Sequence, residues 1–139
     1  MKTSQRGIDF IKEFEGFSAV RYICSAGKTT LGIGHVIRPG EVFPDTLSES
    51  GADALLARDL ERFETDMLEA IEVDLNQNEF DAIISLAFNC GAHAIANSTL
   101  MKLLNGGASR EQCALQFLRW DKANGKPLPG LTRRRKAEM

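Results

Sequence analysis

The chain has 139 residues, enough to bury a real core within one compact domain. Hydrophobic residues make up 43% and charged residues 26%, an ordinary balance for a globular protein. A net charge of −2 argues against a general nucleic-acid-binding face, and no apolar run approaches the ~18 residues of a membrane span.

Taken in order, the first ten residues, MKTSQRGIDF, hold no apolar leader core and no small-residue cleavage site, so synthesis in the cytoplasm is expected. Ile8, Phe10, Ile11 and Phe14 recur at helical spacing, which predicts a helix over 4–15 capped by Thr3 or Ser4 and ended by Gly16. Residues 19–37 are β-branched, aromatic and broken by glycine, the pattern of a hairpin turning near Gly27 within a small lobe of about 17–48. Beyond about 51 the pattern is helical. Ser50 and Asp53 resemble a capping box, and Leu56, Leu60, Phe63, Met67 and Ile71 keep one face apolar over a long helix. Asn76 and Glu79 cap a second helix rich in core residues, which Gly91 ends. Asn97 or Ser98 opens a third and Ser109 with Gln112 a fourth, while NGKPLPGL reads as loop before a last helix beginning TRRRKAE. The expected class is α+β: a small hairpin lobe, then a helical lobe over about 51–139, joined by the long helix.

Three cysteines, Cys24, Cys90 and Cys113, are an odd number, which argues against a disulfide framework. Cys90 and Cys113 fall on apolar helix faces and read as core. The only histidines are His35 and His93, and no CxxC or HExxH occurs, so neither metal nor cofactor is expected. His93 reads as a surface residue in a loop. The basic run Arg133, Arg134, Arg135 and Lys136 is local and consistent with a solvated helix face.

One constellation points to chemistry. At 100° per residue Glu15 falls beside Ile8 and Ile11, at the edge of the apolar stripe and in the last helical turn. Burial and the negative helix end both disfavour a carboxylate, which suits a group that must hold a proton as a general acid. With a turn centred on Gly27, Cys24 would oppose Thr30 and Tyr22 would oppose Gly32, placing a thiol and a hydroxyl side by side on one face.

These residues carry a resemblance. Glu15, eight residues, Cys24, five residues, Thr30, then LGIGH ending at His35 resembles the signature of the phage-type lysozymes, glycoside hydrolase family 24. EGFSAVRY, LAFNCG, NSTLMKLLN and FLRWDKANGKPLPGLTRRRKAE resemble further segments of lambdoid endolysins, so the likeness runs along nearly the whole chain. It implies a two-lobed fold over 1–139 and a muramidase cutting peptidoglycan glycan strands between N-acetylmuramic acid and N-acetylglucosamine. It also implies that Glu15 is the general acid and that Cys24 and Thr30 flank the attacking water. Tyr22, Val36, Phe88 and Thr99 match cleft-lining positions. His35, Arg133 and Arg134 would be structural supports, and one of the arginines Arg133–Arg135, which one being open, would reach Glu15. The protein would be a monomer that depends on a holin-type partner to reach the wall.

The family pattern usually has Asp where Cys24 stands. Three roles are open for it: thiolate base, covalent nucleophile with retention, or water positioner beside Thr30. A degenerate muramidase that binds glycan or protein without cutting is the alternative reading. A lytic transglycosylase, which needs only the acid, is the third.

Overall fold

The computed structural model describes every residue except 25, 26 and 124. The tip of the expected hairpin and the first residue of the expected 124–131 loop lie outside the described residues.

Helix α1 (Gln5–Glu15) is capped by Ser4, whose hydroxyl accepts from the Gly7 N–H at 3.1 Å. Ser4 also donates from both its backbone N–H and its hydroxyl to Asp81. Gly7 permits this close approach, since a Cβ there would lie 2.7 Å from the Asp81 carboxyl carbon.

Three antiparallel strands follow in the order β1-β2-β3: Ser18–Ile23, Thr29–Gly32 and His35–Val36. The simple hairpin read from the sequence is thus a three-stranded sheet. Its register also differs. Tyr22 pairs with Thr30 and not Gly32, and the Cys24 N–H donates to the Lys28 carbonyl at 2.9 Å, so Cys24 faces Lys28 and not Thr30. The Gly27 N–H closes back on the Cys24 carbonyl at 2.8 Å, so facing residues near the turn have numbers summing to 52 and not 54. That displaces the pairing by two residues, not one. Strand alternation has period two, so Tyr22, Cys24 and Thr30 stay on a common face. A bulge between Ser18 and Tyr22 then brings Ser18 opposite Gly32.

The long helix α2 (Glu49–Ala70) starts earlier than the expected Ser50–Asp53 box. Ser48 is the cap, accepting from the Gly51 N–H at 3.1 Å, which leaves the acidic Glu49 in the first turn where the helix dipole favours it. Helix α3 (Gln77–Cys90) has the expected Asn76–Glu79 capping box and ends at Gly91. A short helix α4 (Ala92–Ala96) replaces the expected loop. Its alanines are good helix formers, Ile95 is fully buried, and His93 is exposed on its outer side. Helices α5 (Thr99–Asn105) and α6 (Arg110–Gln116) are capped by Ser98 and Ser109. After a 3₁₀ turn (Phe117–Trp120), the expected loop is partly a two-stranded ribbon, β4 (Lys122–Ala123) with β5 (Lys126–Pro127). Helix α7 (Pro129–Glu138) begins three residues before Thr132, with Pro129 in its first turn, where a missing N–H costs nothing.

The core lies among helices α1 to α6. Ile11, Met67, Phe80, Ile84, Leu86 and Ala87 are fully buried or nearly so. Each large apolar side chain removed from water in this way contributes about 1.5–3 kcal/mol. Cys113 belongs to this core. Cys90, expected there too, is only half-buried, and its sulfur accepts from the Arg135 guanidinium at 3.4 Å. Among the described residues no helix is long and apolar enough to cross a membrane.

Candidate active site

Glu15 is the last residue of α1, and its side chain is 16% exposed. One carboxyl oxygen accepts from Arg134 Nη1 at 2.6 Å. The other faces Gly34, in the turn between β2 and β3. Gly34 has φ +68°, and a Cβ built on it would lie 2.7 Å from Glu15 Oε1 and 3.0 Å from Phe88 Cε1. Only glycine tolerates both the backbone conformation and the contact. The sheet, the end of α1 and the end of α3 therefore converge on a single carboxyl.

The sheet presents a row to this place. Tyr22 pairs with Thr30 across β1–β2, and Thr30 pairs with Val36 across β2–β3. Thr30 is buried and its hydroxyl donates to the Lys28 carbonyl at 3.0 Å, leaving the oxygen lone pairs to accept. Tyr22 and Val36 are exposed. Partial burial, then the charges of Glu15 and Cys24, push the Tyr22 phenol above its ordinary value, so all three groups share one electrostatic neighbourhood. Phe88 is half-buried, with its ring centroid 5.3 Å from that of Phe63 on the long helix. Thr99 is exposed at the start of α5.

His35 points the other way. With its partner Leu31 it faces α2, and both are buried. Its Nδ1 lies 2.7 Å from Asp59 and its Nε2 3.0 Å from Glu41, while Asp59 also accepts from Arg62 at 2.7 Å. The hydrogen bond to Asp59, with Coulomb attraction to Asp59 and Glu41, outweighs burial and raises the His35 pKa above its ordinary value. A group whose proton is held more tightly in the folded state stabilises that state fully below the unfolded pKa of about 6.5, and the gain fades as pH rises through the folded value. We expect His35→Gln to cost about 1–3 kcal/mol near pH 6. The gap in urea midpoint between variant and parent should narrow above neutrality. A gap that is flat from pH 5.5 to 9 would refute the charged-histidine account.

The three candidate arginines separate. Arg134 reaches Glu15. Arg135 is fully buried and turns to Asn89, Cys90 and Glu138. Arg133 is exposed, so the support expected from it falls to Arg134 alone. Sequence reasoning missed Ser85 and Glu138, which grip Arg134 from behind: Ser85 accepts from Nη2 at 3.2 Å and Glu138 from Nε at 3.3 Å. The four-residue spacing of Arg134 and Glu138 on one helix was the available signal.

A carboxyl at the end of α1, where a small antiparallel sheet lobe meets a helical lobe, is the arrangement of a lysozyme-type glycosidase. Comparison with known proteins agrees. A family model described as phage lysozyme matches residues 12–138. The endolysin of Acyrthosiphon pisum secondary endosymbiont phage 1 is 41% identical over 99% of this chain and 95% of its own length. The endolysin of Bacillus phage B103 is 38% identical over 99% of this chain, which spans only 52% of that longer protein. The muramidase domain of SpmX from Asticaccaulis excentricus superposes with a TM-score of 0.86 at 30% identity, covering 99% of this chain and 94% of that one. The chain belongs to the phage lysozyme family, glycosidases that act on peptidoglycan.

Proposed function

We propose that this protein is a muramidase that lyses bacteria by cutting the β-1,4 bond between N-acetylmuramic acid and N-acetylglucosamine, with Glu15 as the general acid. The observation that carries the reading is the Glu15 carboxyl itself, held by Arg134 at 2.6 Å and closed in by Gly34, beside the row that bears Thr30. Glu15 gives its proton to the glycosidic oxygen as the bond to the anomeric carbon breaks. A water then adds to that carbon, its surplus proton passes to bulk solvent, and Glu15 is reprotonated from solvent for the next cycle. The Thr30 oxygen accepts from this water, and Cys24, a diagonal neighbour on the same face, supplies the second contact. Tyr22, Val36, Phe88 and Thr99 line the sugar path. His35 fastens the sheet to the long helix. Residues 1–139 act as one lysozyme-like unit. The enzyme is a monomer made in the host cytoplasm, and a holin-type partner lets it reach the wall.

The products decide the chemistry. Peptidoglycan digested in ¹⁸O-labelled water should yield reducing muramic ends that carry the label in mass spectra. Unlabelled 1,6-anhydro ends would mean a transglycosylase, and no digestion would mean a binding module; either result overturns the proposal.

A further inference from the structure

Behind the Glu15–Arg134 pair lies a second, deeper set of charges that the proposed reaction does not use. The Glu138 side chain is wholly buried, its Oε1 accepts from Ser85 Oγ at 2.6 Å and from Arg134 Nε at 3.3 Å, and its Oε2 lies 3.0 Å from Arg135 Nε. Arg134 therefore divides its donors between two carboxyls, with Nη1 on Glu15 and Nε on Glu138, while Nη2 rests on Ser85. Arg135 in turn binds Glu138, Asn89 and the Cys90 sulfur. Among the described residues, the charged and titratable groups in contact within this cluster are Glu15 from α1, Cys90 from α3, and Arg134, Arg135 and Glu138 from α7; Tyr22 lies near Glu15 on the far side, and Arg6 and Asp81 line a cavity with Glu138. With both carboxyls ionised, the two acids and two guanidiniums cancel.

Such a buried arrangement costs desolvation energy that a fold could avoid with apolar residues. Glu138, itself paired with Arg135, holds Arg134 in place, and these two charges also fix how much of the Arg134 charge Glu15 receives. We propose that Glu138, seated by Ser85 and neutralised in part by Arg135, is a positioning residue that shares Arg134 with Glu15 and so sets the upper pH at which Glu15 still holds its catalytic proton. This rests on the reading of Glu15 as the general acid. If the Glu138 charge is removed, the cluster gains one net positive charge, Arg134 is released to Glu15 alone, and the Glu15 proton is lost at lower pH. If the Arg135 charge is removed, Glu138 leans more on Arg134, Glu15 receives less of it, and the proton is kept to higher pH.

The test is the pH profile of kcat/KM on purified peptidoglycan for the intact protein. Glu138→Gln should move the alkaline limb toward acid by about one pH unit, the size one nearby charge gives a carboxyl. Arg135→Gln should move it the opposite way, and the charge-conserving Glu138→Asp and Arg135→Lys should leave it near the parent position. Arg135→Gln keeps the Glu138–Arg134–Ser85 contacts, so it carries the test even where Glu138→Gln fails to fold. A purely structural role predicts lower activity at every pH with both limbs unmoved. That result, or shifts of the same sign in the two Gln variants, overturns the proposal. Glu15→Gln separates this from failure of the underlying reading: if that variant stays active, the acid assignment is wrong, and if it is inactive while the limbs stay still, only the sharing of Arg134 is wrong.

Discussion

Glu15→Gln should lower lysis of chloroform-treated Gram-negative cells by about 10³-fold or more, with the folded structure kept. A positioned general acid supplies roughly 10²–10⁴ in rate, and glutamine removes that proton donor outright. Glutamine has the shape of glutamate, and its amide oxygen can still accept from Arg134 Nη1, which sits 2.6 Å from the carboxyl in the parent. The clearance beside Gly34 is equally met by an amide. What glutamine lacks is a proton acidic enough to give to a leaving sugar oxygen. Turbidity assays on parent and variant at equal concentration measure the ratio. A thermal midpoint within a few degrees of the parent shows that the loss is chemical. Residual activity within tenfold of the parent would remove Glu15 from the role of acid.

That outcome bears on what the sequence could reveal. The apolar stripe of α1, the Asn76–Glu79 box and the glycine stops were readable because each depends on neighbours within four residues. So was the side of the helix on which Glu15 lies. The hairpin register was not, because a single backbone closure from Gly27 to Cys24 moves the pairing without changing any hydrophobic pattern. The common face of Tyr22, Cys24 and Thr30 survived only because the displacement was even. Helix α4 was missed because five residues give too short a period to read. The greatest loss was the charge network. Burial and the helix dipole alone left out Arg134, which only the family resemblance brought to Glu15 as one of Arg133–Arg135; it lies 119 residues away in the chain and reaches the carboxyl through the packing of α7. From RRRK alone, the solvated-face reading fits Arg133 and fails for Arg134 and Arg135, which are 3% and 0% exposed. A fully buried guanidinium needs partners that no local pattern displays.

The same network predicts the largest effect on stability. Arg134→Met should destabilise the fold by about 3–5 kcal/mol, since removing one member of a buried ion pair leaves an uncompensated charge behind. Methionine approximates the length of the arginine stem, so little packing is lost and the deficit is electrostatic. The orphaned group is chiefly Glu138. Burial, opposed by Arg135, Ser85 and Arg134, already raises its pKa above the ordinary carboxyl value. Without Arg134 its proton is held more tightly still. A carboxyl whose folded pKa lies above its unfolded one favours folding at pH below the unfolded value and loses that gain as pH rises through the folded value. The deficit of Arg134→Met should therefore widen between pH 5 and pH 8. Adding Glu138→Leu removes the orphan, so Arg134→Met with Glu138→Leu should recover much of the lost stability. Urea denaturation at both pH values, on parent, single and double variants, measures each term. A single variant within about 1 kcal/mol of the parent, the scale of an exposed ion pair, would show that the Arg134 cluster is solvated and not a buried network.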